Sequence, residues 1–193
     1  MLFSSITFLF LFLPVVLAVY YIVPYKAKNI ILLVASLFFY AWGEPVYVIL
    51  MILSIIFNYF CGRDIKEHED DPRKAKTGVI FALAGNLLIL GFFKYYGFLI
   101  ETLNAILPTD IPYRELALPV GISFYTFQAI SYILDVYWKK AEPQKNILYF
   151  ALYISMFPQL IAGPIVRYAD IEEQLRRRKM SASKIGLGSM YFI

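Results

Sequence analysis

Residues 118–140 read LPVGISFYTFQAISYILDVYWKK, and this stretch indicates the fold class more strongly than any other. Its apolar part, Leu118–Trp138, is 21 residues long and carries one charged residue, Asp135, before two lysines follow. An α-helix of about 20 apolar residues, rising about 1.5 Å per residue, spans the roughly 30 Å hydrocarbon core of a bilayer. The stretch therefore predicts a transmembrane helix.

One face of this predicted helix is polar. Gaps of four, three, four and three residues separate its members, so they lie on one side of a helix. In a membrane a polar face turns toward other helices or a water-filled cavity, because unpaired polar groups in hydrocarbon are costly. The face is expected either to form interhelical hydrogen bonds or to contact a substrate in a cavity. Its members are Gly121, Tyr125, Gln128, Tyr132 and Asp135.

The rest of the chain predicts further membrane segments. Of its 193 residues, 60% are hydrophobic and only 17% are charged, against about 25% charged in soluble domains. The first run, Leu2–Val23, has no basic residue before it, which favours a spanning helix, bent at Pro14, over a signal peptide. The two short runs, Ile30–Trp42 and Val46–Cys61, predict two tilted crossings or one hairpin. The predicted fold class is an all-α, polytopic integral membrane helical bundle of five to six segments. The further runs are Leu2–Val23, Ile30–Trp42, Val46–Cys61, Val79–Ile100 and Ile147–Val166.

Lysine and arginine residues predict the orientation, because basic flanks of membrane segments stay on the cytoplasmic side. No basic residue precedes the first run and two lysines follow it, so Met1 is expected outside the cell. The stretch Gly62–Gly78 is then expected to be a polar cytoplasmic loop, and Glu101–Ala117 an outer loop. The lysines that follow Trp138 are expected inside.

The run Ile147–Val166 is predicted to be broken or re-entrant near Pro158. A simple crossing would leave 10 basic loop residues inside and 7 outside, whereas entry and return would leave 16 inside and 1 outside. Proline also removes a backbone donor and disfavours helix in the residue before it. Irregular backbone at this depth must face protein or a cavity, because lipid cannot satisfy its polar groups. Broken segments also occur in transporters, so a transporter is one alternative.

The scarcity of cysteine and histidine excludes several kinds of site within this sequence. Cys61 is the only cysteine and His68 the only histidine, which rules out an intramolecular disulfide, a cysteine-based metal centre and a histidine-rich one. His68 lies among alternating charges, which is typical of a solvated residue. The sequence has no phosphate-binding glycine loop, nucleophile elbow, zinc motif or aromatic-basic groove. We expect no metal site and no nucleic-acid partner.

Two cationic features have open roles. Lys94 is expected either to snorkel to the outer interface or to face an anionic group such as Asp135. Residues 171–180, IEEQLRRRKM, separate apolar from basic side chains, which is typical of a helix on the inner leaflet; a solvated loop is the alternative. The sequence turns apolar again from Ile185, which predicts the start of a further crossing in a longer protein.

Three stretches, in this order and spacing, resemble the N-terminal half of the membrane-bound O-acyltransferases. The resemblance is to the bacterial branch that contains alginate O-acetyltransferases, and the opening residues and the stretch LFFYAWGEP at 37–45 are similar to it as well. The three stretches are FKYYGFL at 93–99, LPVGISFYTFQAISYILDVYWKK at 118–140 and FPQLIAGPIVRYADIEEQL at 157–175.

The resemblance implies that residues 1–193 are the N-terminal part of a single acyltransferase domain. The family's catalytic histidine lies in its C-terminal half, so no residue of this chain is expected to be catalytic, and the fragment alone is expected to be inactive. The implied substrates are a cytoplasmic acyl donor such as acetyl-CoA and an exported polysaccharide such as alginate or a related cell-envelope polymer. No bound cofactor is implied. An extracytoplasmic partner acyltransferase and the inner membrane are implied as well.

Other functions stay open beside O-acetyl transfer. The alternatives are a non-catalytic membrane scaffold or pseudo-enzyme half, and D-alanyl transfer to teichoic acid.

The resemblance also implies positions for the site. Arg167 suits donor phosphates or, equally, an anchor at the inner membrane surface. The cavity-lining candidates are Lys94, Tyr125, Gln128, Tyr132 and Asp135, and the candidates for the donor approach are Gln159, Gly163, Pro164 and Arg167.

Overall fold

The computed structural model describes residues 5–107, 112, 117–160, 166–176, 186–188 and 190. This part of the chain is helical and contains no strand, which confirms the predicted all-α fold class. Helix α3 contacts α4, α5 and α6, and α2 packs along α6. In chain order the elements are a π-helical segment Phe8–Phe12, α1 Leu13–Ile22, α2 Tyr25–Gly43, α3 Tyr47–Glu67, α4 Pro72–Ile106, α5 Ile122–Tyr137, α6 Ile147–Ser155, α7 Phe157–Leu160 and α8 Tyr168–Arg176.

Two helices in the described ranges, α3 and α4, are long and apolar enough to cross a membrane. Phe81, Leu88 and Phe98 on α4 are each more than half exposed, a surface that suits contact with lipid. Helix α4 has 35 residues and is therefore about 52 Å long, against a hydrocarbon core of roughly 30 Å. It extends well beyond the apolar layer that it is able to cross.

The first apolar run changes its winding at a proline. Pro14 has no N–H to donate to the carbonyl four residues earlier. The chain before it forms the π-helical segment, in which the N–H of Leu13 bonds to the carbonyl of Phe8. The bend expected at Pro14 stays a prediction, and the change that the structure shows beside it is one of helical winding.

The two short apolar runs belong to two separate helices. Helix α2 begins at Tyr25, before its apolar run, and so reaches 19 residues, about 28 Å. It ends at Gly43, where the sequence continues with Glu44 and Pro45, and α3 follows. The two short runs therefore form two helices joined by a short turn, and the choice between two tilted crossings and one hairpin stays a prediction.

The stretch Gly62–Gly78 is mostly helical, so the prediction of a loop there was wrong. Helix α3 continues to Glu67 and α4 begins at Pro72, which leaves a loop of four residues. Asp71 starts α4: its carboxylate accepts hydrogen bonds of 3.1 and 3.2 Å from the N–H groups two and three residues later. Lysine, arginine and glutamate are good helix formers, and they carry both helices beyond their apolar parts.

A pair of amides joins α3 to α4. Asn58 Nδ2 donates a hydrogen bond of 3.0 Å to Asn86 Oδ1, and Asn86 Nδ2 donates one of 2.7 Å to Asn58 Oδ1. Both side chains are buried. Each amide also bonds to a carbonyl one turn earlier in its own helix. The pair satisfies polar groups that hydrocarbon alone would leave unpaired.

The segment after α5 is broken, as predicted near Pro158, and its two ends meet. Helix α6 stops after nine residues, about 13 Å, and Met156 leaves the helical conformation with ψ 114° before the single turn of α7. On either side of the segment, Gln144 Nε2 donates a hydrogen bond of 2.8 Å to Tyr168 Oη. The chain therefore leaves one end of the bundle and comes back to it.

Two loops that were predicted to share a side of the membrane lie together. Lys66 Nζ is 2.9 Å from a carboxylate oxygen of Glu69 in the α3–α4 loop and 3.1 Å from one of Glu142 in the α5–α6 loop. Lys139, which also follows α5, lies 3.8 Å from Glu69. Hydrogen bonding from Lys66 lowers the pKa of Glu69 below its usual value. These contacts join the ends of α3 and α5.

Candidate functional site

The polar face of α5 is its buried face. Tyr125 and Tyr132 are fully buried, and Gln128 and Asp135 are each 4% exposed. Helix α5 packs against α3, α4, α6 and α8, so the face lies among other helices. The spacing of four and three identified this face, while its contact with a substrate stays a prediction.

The start of α5 is fixed by a close approach. The helix begins at Ile122, four residues later than its apolar run, because Gly121 adopts the left-handed region with φ 76°. A Cβ at this position would lie 2.9 Å from the carbonyl oxygen of Leu160. Gly121 therefore allows α7 to lie against the first turn of α5.

Gln128 joins α5 to the broken segment. Its Nε2 donates a hydrogen bond of 2.9 Å to the carbonyl of Tyr153 and lies 3.5 Å from Gln159 Oε1. Tyr153 is in the last turn of α6, where carbonyls have no partner within the helix, so the amide satisfies one of them. The Tyr153 hydroxyl donates to the carbonyl of Val166 at 3.0 Å and contacts that of Gln128 at 3.4 Å. These bonds hold both sides of the break against α5.

Tyr132 lies where the broken segment begins and ends. Its Oη accepts a hydrogen bond of 3.2 Å from the N–H of Gln144, the residue that also bonds to Tyr168. The rings of Tyr132 and Tyr168 meet edge to face with centroids 5.1 Å apart. A Cβ on Gly62 of α3 would lie 2.7 Å from Tyr132 Oη, so glycine leaves room for this ring. Tyr132 thus bonds to the loop between α5 and α6, whereas the interhelical hydrogen bond expected of the face is the one from Gln128 to α6.

Tyr125 has a different environment. Its hydroxyl is buried and has no hydrogen-bond partner among the described residues, and the same holds for the hydroxyl of Tyr40 on α2. Both rings belong to one buried cluster. A buried polar group without a partner costs roughly 1–3 kcal/mol, so such a hydroxyl marks a place where a bound polar group would be favoured.

Asp135 lies beside a groove of about 450 Å³ near the end of α5. Its Oδ2 is buried and has no hydrogen-bond partner in the part of the chain that the structure describes. Two cations, Lys140 and Arg167, line the same groove. The other lining residues are Phe127, Ile130, Ser131, Leu134 and Trp138.

A turn at the end of α5 brings Lys140 to this groove. The N–H of Lys140 bonds to the carbonyl of Asp135 at 2.8 Å, and the N–H of Lys139 bonds to that of Val136 at 3.0 Å, which is the Schellman pattern. Lys139 takes the left-handed position of this turn, with φ 57°. Lys140 Nζ then lies 4.9 Å from the centre of the Trp138 ring.

The remaining predicted residues are placed separately. Lys94 is exposed on α4, its Nζ lies 5.6 Å from the centre of the Tyr95 ring, and it does not line the groove beside Asp135. Gln159 is half-buried and next to Gln128. Gly163 and Pro164 lie outside the described residues.

Comparison with known proteins shows similarity along the whole chain. The protein named "Probable alginate O-acetylase AlgI" of Pseudomonas aeruginosa is 39% identical over 197 aligned residues, which cover 100% of this chain and 38% of that protein. Its namesake of Azotobacter vinelandii is 38% identical, and 40% of it is covered. The peptidoglycan O-acetyltransferase of Helicobacter pylori is 34% identical over 225 residues, with 42% of it covered.

The chain is similar over its whole length to proteins named as alginate O-acetylases. This confirms the resemblance to the alginate O-acetyltransferase-like branch of the membrane-bound O-acyltransferases. The chain spans about two fifths of the length of these curated relatives. No protein-family model and no solved structure matches it.

Three residues that complete the site of this O-acetylase-like chain were missed from the sequence: Gln144, Tyr153 and Tyr168. Each is buried and hydrogen-bonded across the broken segment. Gln144 lies in a short polar stretch between two apolar runs, and the two tyrosines are among 16 in the sequence, so none stands in a periodic pattern. Their partners on other elements are 12 to 25 residues away, and only the fold brings them together.

Proposed function

We propose that this chain is part of a membrane-bound O-acetyltransferase that transfers an acetyl group to a hydroxyl of an exported polysaccharide. The observation that carries the proposal is the whole-chain similarity to proteins named for the O-acetylation of alginate and of peptidoglycan. The two names share one reaction, acetyl transfer to oxygen, and differ in the polymer that receives the group.

The proposed donor is an acyl thioester such as acetyl-CoA on the cytoplasmic side. Its C–S bond breaks, a C–O bond forms, the thiol leaves, and the hydroxyl proton passes to a general base. A histidine suits this role because its pKa lies near the working pH. The family resemblance assigns the base to the C-terminal half, so residues 1–193 supply walls and supports and no catalytic group.

The buried face of α5 and the broken segment form the proposed wall of the reaction chamber. Irregular backbone in a membrane must face protein or a cavity, and Gln128 and Gln159 lie where this backbone breaks. The hydroxyl of Tyr125, which has no acceptor among the described residues, is available to donate a hydrogen bond to an acyl carbonyl or an acceptor oxygen. Gly163 and Pro164 are the other proposed positions on the donor's approach, and Arg167 is proposed either for that approach or as an anchor at the inner membrane surface.

The proposed topology is multi-pass in the inner membrane, with Met1 outside. Two contacts support it, the ion pair between Lys66 and Glu142 and the hydrogen bond between Gln144 and Tyr168, because they bring the basic loops to one end of the bundle. The donor enters from that end, and an extracytoplasmic partner acyltransferase completes the transfer to the polymer.

Complementation of a deletion strain with the full-length protein tests the proposal. The full-length protein is expected to restore acetate ester on the polysaccharide, measured as acetate released by alkali. Tyr125→Phe is expected to lower the amount at equal protein level, because it removes only the hydroxyl. His68→Ala, a change of a surface residue, serves as the matched control and is expected to leave the amount unchanged.

Three results would contradict the proposal. Polymer acetylation that does not depend on the protein would show that it does not catalyse this reaction. Acetylation restored by residues 1–193 alone would contradict the assignment of the general base to the C-terminal half. Labelled donor that crosses the membrane unchanged, with no label on the polymer, would favour a transporter.

A further inference from the structure

The groove beside Asp135 combines charges and apolar side chains in a way that acetyl transfer does not require. Phe127 and Trp138, which line it, are 45% and 55% exposed, so it opens on the surface of the described part of the chain. Tyr125 and Tyr132, by contrast, are fully buried on the neighbouring face of α5. The groove therefore opens beside the wall formed around the broken segment, and Asp135 borders both.

The charged part of the groove has one anion and two cations. The Oδ2 atom of Asp135 is buried, and among the described residues no donor reaches it, so a bound donor would relieve an unpaired carboxylate oxygen. Arg167 and Lys140 line the same groove without forming an ion pair with Asp135 in the described part of the chain. A guanidinium and an ammonium together suit a phosphate group.

The apolar part of the groove runs along α5 away from these charges. Phe127, Ile130 and Leu134 follow one another at intervals of three and four residues, so they form a strip on one side of the helix. From Phe127 to Asp135 the helix rises about 12 Å. Trp138 follows at the charged end, and tryptophan is enriched at the level of lipid head groups.

We propose that this groove binds the head group of a zwitterionic phospholipid that carries a primary ammonium, as phosphatidylethanolamine does. The ammonium donates a hydrogen bond to Asp135 Oδ2, the phosphate accepts hydrogen bonds from Arg167 and Lys140, and an acyl chain lies along the strip that starts at Leu134. A lipid with no amine leaves the carboxylate unpaired. A quaternary ammonium has no N–H to donate. Arg167 then acts as an anchor at the membrane surface, the second of the two roles that its sequence position allows.

Lipid binding to the full-length protein tests this assignment. Protein purified in detergent and stripped of lipid is titrated with short-chain phosphatidylethanolamine, phosphatidylglycerol and phosphatidylcholine, and the bound lipid is counted by native mass spectrometry. Phosphatidylethanolamine is expected to bind about tenfold more tightly than the other two, in line with one charge-assisted hydrogen bond gained. Free phosphoethanolamine is expected to bind more weakly than the lipid, because it has no chain for the apolar strip.

Three variants separate the contributions. Asp135→Asn is expected to remove the preference for the amine while phosphatidylglycerol still binds. Arg167→Gln is expected to weaken all three lipids. Arg63→Gln, which changes an exposed arginine of α3 outside the groove, is the matched control and is expected to bind like the wild type. Lys140→Gln replaces Asp135→Asn as the test if the latter does not fold, with a uniform loss expected.

Four results would overturn the assignment. They are equal binding of phosphatidylglycerol and phosphatidylethanolamine, equal binding of free phosphoethanolamine and the lipid, unchanged selectivity in Asp135→Asn, and displacement of the lipid by coenzyme A. The last result would return Arg167 to the donor's approach. Loss of lipid selectivity with polymer acetylation intact leaves the proposed function untouched, so the two proposals fail separately.

Discussion

Replacing Gln128 by leucine is expected to destabilise the break at which the proposed wall is built. The amide is buried and donates a 2.9 Å hydrogen bond to the carbonyl of Tyr153, in the last turn of α6. Leucine has a similar size and cannot donate, so this carbonyl loses its side-chain partner in a place that water reaches poorly. A buried polar group left unpaired costs about 1–3 kcal/mol, and we expect a loss of unfolding free energy in that range.

Two further variants show whether the donated hydrogen bond is the cause. Gln128→Glu keeps the shape but offers the Tyr153 carbonyl an acceptor in place of a donor, so it is expected to cost at least as much as leucine. Gln174→Glu makes the same amide-to-carboxylate change at an exposed position of α8 and serves as the matched control. The measurement is unfolding of the full-length protein in detergent by increasing sodium dodecyl sulfate, together with polymer acetylation at equal protein level.

If Gln128→Leu unfolds within about 0.5 kcal/mol of the wild type, the amide does not support the break, since surface substitutions vary by as much. If Gln128→Leu is destabilised and Gln128→Glu is not, the loss of unfolding free energy comes from the changed shape of the side chain and not from the lost hydrogen bond. Normal acetylation by a destabilised Gln128→Leu would separate the support from the reaction.

Four further predictions rest on other contacts. Gly121→Ala is expected to cost at least about 1–2 kcal/mol in the same unfolding assay, because alanine disfavours the left-handed region and its Cβ would meet a carbonyl at 2.9 Å; an unaffected variant would mean that α7 moves freely. Single leucine substitutions of Asn58 and Asn86 are each expected to cost about 1–2 kcal/mol, and the double variant less than their sum, because neither amide is then left unpaired; additive losses would argue against the pair. Backbone hydrogen bonds lower the pKa of Asp71, so its support of the α4 start is present above the pKa of the unfolded chain and is lost as the pH falls through the lower folded pKa; the protection of amides in the first turn of α4, taken relative to the intrinsic exchange rate at each pH, is expected to fall on acidification, and in Asp71→Asn it is expected not to change with pH. Arg176→Cys, in a protein whose other cysteines are all replaced, is expected to react with an impermeant thiol reagent only from the cytoplasmic side, and labelling from outside the cell would reject the return of the broken segment.

Local chemistry explains what was predictable from the sequence. The buried face of α5 follows from the positions of Tyr125, Gln128, Tyr132 and Asp135 alone, since side chains three and four residues apart share a side of any helix. The break near Pro158 follows from a missing backbone donor. Both features depend only on local sequence and not on which helix lies next to them, and both are present in the structure.

What was not predictable depends on distant partners or on helix ends. The charges of Gly62–Gly78 predict a loop, because charge is typical of the end of an apolar helix, whereas the cap at Asp71 allows α4 to start in the polar part. The bond between Asn58 and Asn86 joins residues 28 apart, and nothing in the spacing pairs them. Lys94 is exposed, although its position in an apolar run also allowed a buried partner.

Two independent observations support the return of the broken segment to the side from which it starts. The first is the distribution of basic residues: they lie both before and after the segment, and basic flanks stay on the cytoplasmic side. The second is the hydrogen bond between Gln144 and Tyr168, which joins two uncharged side chains and does not depend on the basic residues. Because Gln128 also bonds to the carbonyl of Tyr153 within the segment, the return is held at its middle as well as at its ends. A segment held at three points cannot swing across a bilayer without breaking buried hydrogen bonds, so it is better suited to a fixed wall than to the moving gate of a transporter.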